Sequence, residues 1–117
     1  MKHQNLQTCT KRFALQVIDF CETVPQDDAA RILSRQLLRS GTSVGANYRA
    51  VCRAKSSADF ISKFQTVFEE ADESGFWIEL LVDSGKVTAA SAQSLLSEAN
   101  ELVAISVSSI NTARKNG

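Results

Sequence analysis

Apolar residues along this chain recur at steps of three and four, and no stretch holds a convincing alternation of two. Phe13, Val17, Phe20/Cys21 and Val24 keep that step first, with Ala14 and Ile18 widening the stripe. Such spacing puts one buried face on a helix. Pro25 ends it, because proline disfavours helical geometry in the residue before it. Asp27 and Asp28 then suit the positive end of a new helix dipole. The second stripe runs through Ile32/Leu33, Leu37, Gly41, Val44, Tyr48 and Val51/Cys52. Its middle, from Ser40 to Asn47, looks locally unhelical, since an interior glycine costs about 1 kcal/mol relative to alanine. Gly41 and Gly45 share a face, and close approach of another helix is the compensation expected there. Ser56-Ser57-Ala58-Asp59 reads as a capping box that starts a third helix. Phe60/Ile61, Phe64, Val67/Phe68, Ala71, Gly75, Ile78 and Leu81/Val82 form its stripe, and Gly85 closes it. Thr88 opens a fourth, carrying Ala92, Leu95/Leu96, Ala99, Leu102/Val103, Ser106, Ile110 and Ala113.

The connections are short, so successive helices must run antiparallel. The pattern predicts an all-α, up-down-up-down four-helix bundle in one domain, 1–117, with helices near 6–24, 27–54, 57–84 and 88–114. No apolar run is long enough to span a membrane, and no apolar stretch follows the first lysine as in a secretory signal. The expectation is a cytoplasmic protein with no membrane partner. Three cysteines, Cys9, Cys21 and Cys52, fit a reducing compartment as buried or half-buried thiols. Cys9 and Cys21 lie on one helix about 18 Å apart, too far for a disulfide.

Charge changes the picture more than composition does. The 13 Lys and Arg balance 13 Asp and Glu, which excludes a uniformly basic nucleic-acid binder. The balance is uneven along the chain. Residues 31–55 hold Arg31, Arg35, Arg39, Arg49, Arg53 and Lys55 without an acid, and residues 69–83 hold Glu69, Glu70, Asp72, Glu73, Glu79 and Asp83 without a base. A turn near Ser56 would set Arg39 beside Glu73, Arg35 beside Glu79 and Arg31 beside Asp83. Such exposed pairs would each be worth about 0–1 kcal/mol and would fix register. The end of the bundle that holds both termini carries Lys2, Arg49, Arg53, Lys55, Lys63, Arg114 and Lys115 against Asp59, a net +6. Arg49, Arg53, Lys55, Lys63, Arg114 and Lys115 are therefore candidate nucleic-acid contacts.

Catalytic patterns are missing. Gly41-x-x-x-Gly45 is followed by Ala46-Asn47, not by the Lys-Ser/Thr of a phosphate loop. His3 is the one histidine, so neither a Ser-His-Asp set nor a Glu-x-x-His metal motif exists. No catalytic residue, metal ligand or cofactor is expected, and the acidic run reads as a solvated or ion-paired face. Trp77 stands one position off Ile78, on the flank of the third helix, as an interface anchor would.

Four segments together resemble a known family: RSGTSVGANYRA from Arg39, RAKSSADFISK from Arg53, EEADES from Glu69 and WIELL from Trp77. They are similar to the bacterial four-helix-bundle proteins named after the intervening sequences of 23S ribosomal RNA genes. The resemblance implies a left-handed up-down bundle that assembles into a ring, usually a homopentamer, with no established enzyme activity. A related branch, the accessory proteins of diversity-generating retroelements, binds nucleic acid and a reverse transcriptase through a basic barrel. Asn47, Arg49, Arg53, Glu70, Asp72, Glu73, Trp77 and Glu79 fall on the family pattern, and Arg31, Arg35, Arg39, Asn47, Glu70, Asp72, Glu73, Trp77 and Glu79 are expected to make helix–helix or subunit contacts. The expected function is non-enzymatic: a ring-forming assembly or scaffold protein. The alternative is an adaptor that binds RNA or DNA through the basic end.

Overall fold

The computed structural model describes residues 5–116 and places them in four helices: α1 (Leu6–Thr23), α2 (Asp28–Val51), α3 (Ser57–Asp83) and α4 (Ala89–Asn116). Among the described residues there is no strand. Local chemistry sets most of the boundaries. Asp27 caps α2 by accepting the Ala30 amide at 3.0 Å, and Lys86 reaches Asp27 at 3.3 Å, tying the first turn to the third. Ser56 accepts the Asp59 amide at 3.0 Å, and Asp59 returns the contact by accepting the Lys55 amide at 3.0 Å. Gly85 takes φ +77°, which allows Lys86 N–H to bond Leu81 C=O and Gly85 N–H to bond Val82 C=O. That pair of bonds is a Schellman ending and needs a left-handed residue. Thr88 Oγ1 accepts the Ser91 amide at 3.1 Å at the start of α4.

The helices pack in sequence order, α1 on α2, α2 on α3 and α3 on α4, while α1 and α4 touch least. The result is a rod of 47 × 20 × 20 Å. Phe13, Val17, Leu37, Val44, Ala71, Ile78, Leu81 and Ala99 form its fully buried axis. Each large apolar side chain there stabilises the fold by roughly 1.5–3 kcal/mol.

Three expectations need correcting. The stretch from Ser40 to Asn47 is uninterrupted helix. A Cβ on Gly41 would lie 2.7 Å from Val17 Cγ2, and one on Gly45 would lie 3.3 Å from Thr10 Oγ1. The bare backbone thus lets α1 approach and offsets the poor helix propensity. Second, α2 stops at Val51, because Arg53 and Ala54 donate to carbonyls three residues back and tighten the turn. Cys52 falls at that cap and is exposed, unlike buried Cys9 and half-buried Cys21. Third, Ile18 and Ile32 face outward, with Ile32 60% exposed. Each sits at the edge of its stripe, past the arc that neighbouring helices can cover.

Candidate functional site

Two outer surfaces gather the polar residues singled out in the sequence, and both grow from the α2–α3 register. Buried Ser40 and Ser74 hydroxyls meet at 2.9 Å, and the Ser74 hydroxyl donates a hydrogen bond to Glu70 C=O. That contact levels the two antiparallel helices. Just outside it, Arg39 pairs with Glu73 and, at 3.5 Å, with Glu70. The Glu73 carboxylate raises the already high Arg39 pKa further, with Glu70 adding to it. Trp77 Nε1–H donates to Glu73 at 3.0 Å, and the half-buried indole packs against the core. Asn47 turns its amide back to Ser43 C=O at 2.8 Å.

The expected ladder of ion pairs breaks after this first rung. Arg31 bonds Asp28 on its own helix at 3.0 Å, and among the described residues Arg35, Glu79 and Asp83 have no ion-pair partner. The levels are right and the directions are wrong. Steps of four residues rotate a stripe by about 40° around a helix of 3.6 residues per turn. Arg35 and Arg31 follow Arg39 at such steps and so drift onto the face of Thr42, which lines the groove toward α1. Glu79 and Asp83 line the groove toward α4, and Asp72 is exposed. The two charged stripes therefore point to opposite sides of the α2–α3 pair.

The basic end is likewise divided. Lys63 is taken up by Asp59 at 2.7 Å, which lowers the Asp59 pKa, with the Lys55 amide adding to the effect. Arg114 lines a small α3–α4 groove with Phe68 and Gln65, and Lys115 lies on the outer face of α4. Lys2 and His3 lie outside the described residues. Arg49 and Arg53 stay together and gain a third cation that the sequence reading missed. Lys11 of α1 faces them across a groove of about 440 Å³ that also takes in Gln7, Thr10, Thr42 and Gly45. Antiparallel pairing of α1 with α2 alone would not have found it, because the level of Thr10 with Gly45 sets Lys11 opposite Val44, more than a turn from Arg49.

Reactive chemistry is sparse. No group of three or more His, Cys, Asp or Glu side chains among the described residues is placed to hold a metal ion. Burial pushes the Cys21 thiol up to about 11, well away from thiolate chemistry, although the Ser34 contact opposes it. Among the described residues no helix is long and apolar enough to cross a membrane. What the surface does offer is exposed apolar bulk: Leu15 and Ile18 on α1, Ile32 and Leu38 on α2, Phe76 on α3 and Val107 on α4. Phe76 stands edge-on to Trp77, ring centroids 5.0 Å apart.

Four sequential antiparallel helices define an all-helical bundle protein of the up-down class. The sequence pattern of the 23S rRNA-intervening sequence proteins matches residues 3–108, and the chain belongs to that family. A solved structure with the same fold is a protein of unknown function from the S23 ribosomal protein family of Bacteroides thetaiotaomicron VPI-5482. It is 32% identical, with a TM-score of 0.82, over 89% of this chain and 96% of that one. No curated protein matches.

Proposed function

We propose that this chain is a non-catalytic, cytoplasmic scaffold protein whose bundles pack side by side into a closed ring. The observation that carries the proposal is a pair of complementary stripes at the same height. The Ser40–Ser74 contact fixes the levels. Leu38, two residues before Ser40, is level with Phe76, two residues after Ser74. By the same register Arg35 is level with Glu79, and Arg31 with Asp83. One stripe faces the α1 side and reads Arg31, Arg35, Leu38. The other faces the α4 side and reads Asp83, Glu79, Phe76. Leu38 is 38% and Phe76 51% exposed, bulk that a lone soluble molecule has no reason to leave together with unpaired charge.

Two bundles standing parallel bring the first stripe of one copy against the second stripe of the next. Apolar then meets apolar and cation meets anion, with no shift along the axis. Because the two faces differ, the contact is heterologous, and with no axial shift a constant rotation from copy to copy that divides the full circle closes it into a ring rather than a helical filament. The family resemblance makes five the expected number of copies.

Light scattering at micromolar concentration tests this. The expected mass is a fixed multiple of 12.8 kDa. Leu38→Glu and Phe76→Glu alter exposed positions, so each should remain helical and cooperative in unfolding while the mass falls toward one subunit. A wild-type chain that runs as a 12.8 kDa monomer overturns the proposal.

A further inference from the structure

We infer that the α1–α2 groove lined by Lys11, Arg49 and Arg53 binds the phosphate backbone of nucleic acid. The half of the α1–α2 hairpin around it, residues 5–18 and 38–55, holds Lys11, Arg12, Arg39, Arg49, Arg53 and Lys55 and no acidic residue. Two of the six are taken up by carboxylates. Arg12 pairs with Glu98 of α4 at 3.4 Å and Arg39 pairs with Glu70 and Glu73, whereas Lys55 gives Asp59 only its backbone amide. Among the described residues the other four, Lys11, Arg49, Arg53 and Lys55, have no ion-pair partner, and the first three of these line the groove together.

The shape suits a chain of phosphates better than one. Arg49 stands in the last turn of α2 and Arg53 in the tight turn just after it, and Lys11 faces them from the other wall. All three are exposed, so a single phosphate held there stays largely hydrated. A polyanion engages all three and gains from counterion release at each. The Gln7 amide on the wall adds a neutral donor of the kind that positions a backbone without reading sequence. Gly45 and Ala46 keep one wall low, and a larger side chain at Gly45 would press on Thr10. Nothing here recognises a base, so the groove binds without sequence preference.

The rival occupant is the α3 of a neighbouring copy, whose Glu69 lies near this level. The groove inference does not depend on ring formation, and the test separates the two. Anisotropy of a labelled single-stranded RNA of about 20 nucleotides is followed with the full chain between low and moderate salt. The triple variant Lys11→Gln, Arg49→Gln, Arg53→Gln should bind about tenfold more weakly at low salt, with a salt slope shallower by about 2, as three lost phosphate contacts require. The control Lys55→Gln, Arg114→Gln, Lys115→Gln removes the same charge from the end of the rod and should keep the wild-type slope. Circular dichroism and scattering mass are recorded on each sample. The inference is overturned if the wild type shows no salt-dependent binding, or if the control loses as much as the groove variant. It is also overturned if the groove variant changes assembly mass while RNA affinity stays the same, since the groove would then be a subunit contact.

Discussion

At Gly41 and Gly75 the same residue type does opposite things, and the surroundings decide which. Both sit inside helices, where glycine costs about 1 kcal/mol relative to alanine. An added Cβ at Gly41 would press into Val17, whereas at Gly75 it would find Asn100 and Leu96 at an ordinary 3.8 Å. Gly41→Ala should therefore destabilise the fold by about 1–2 kcal/mol once overpacking is set against the gain in propensity. Gly75→Ala should stabilise it by up to about 1 kcal/mol. Urea unfolding of the two variants checks this, and matching signs would contradict the packing account. The shared face of Gly41 and Gly45 was readable in the sequence, because spacing alone places them there. The outward turn of Ile18 and Ile32 was not, because an apolar residue at a stripe's edge looks the same whether a neighbour covers it or not.

The elements were the most legible level, since caps and periodicity are local. Asp27, Ser56, Gly85 and Thr88 all act where the sequence placed a start or a stop. Asp27 also carries a pH dependence. The Ala30 amide is the largest cause of its lowered pKa, with Lys86 adding to it. A carboxylate whose folded pKa is depressed contributes stability that is full above its unfolded value. That contribution is lost as pH falls through the folded one. The stability advantage of the wild type over Asp27→Ala should thus hold at neutral pH and shrink below about pH 4, the ordinary carboxylate range. Thermal unfolding of both proteins across that range reads it out; an advantage that persists unchanged into strong acid would remove the carboxylate from the cap. The ion-pair ladder marks where element-level reading stopped. Register follows from turn length, but the direction of a side chain around its helix depends on the 40° drift per four residues, which summed residue numbers do not contain.

For the whole molecule, the neutral total hides two opposed halves. Residues 1–56 carry nine basic and four acidic side chains, and residues 57–117 carry four and nine. The α1–α2 hairpin is thus a positive layer against a negative α3–α4 hairpin. The sequence suggested a polarity between the two ends of the rod, because it grouped residues by distance from the turns. The structure spends Lys63 on Asp59 and turns Arg114 toward α3, so the stronger polarity lies across the rod. A molecule with complementary opposite sides is suited to repeat itself, and the level match of Arg35 with Glu79 gives that tendency a register. The sequence reading named Arg31, Arg35 and Glu79 as helix–helix or subunit contacts, but which side of the rod each faces follows only from the three-dimensional register.

The most direct test of that self-pairing is the solution mass, by light scattering at one protein concentration, of the wild type, Arg35→Glu, Glu79→Arg and the double variant. Each single change sets like charges together at every subunit contact, and the double change restores opposite charges there with their signs exchanged. The account predicts a wild-type multiple of 12.8 kDa, lower masses for both single variants and recovery in the double variant. A monomeric wild type, or a double variant no better assembled than the singles, would contradict it.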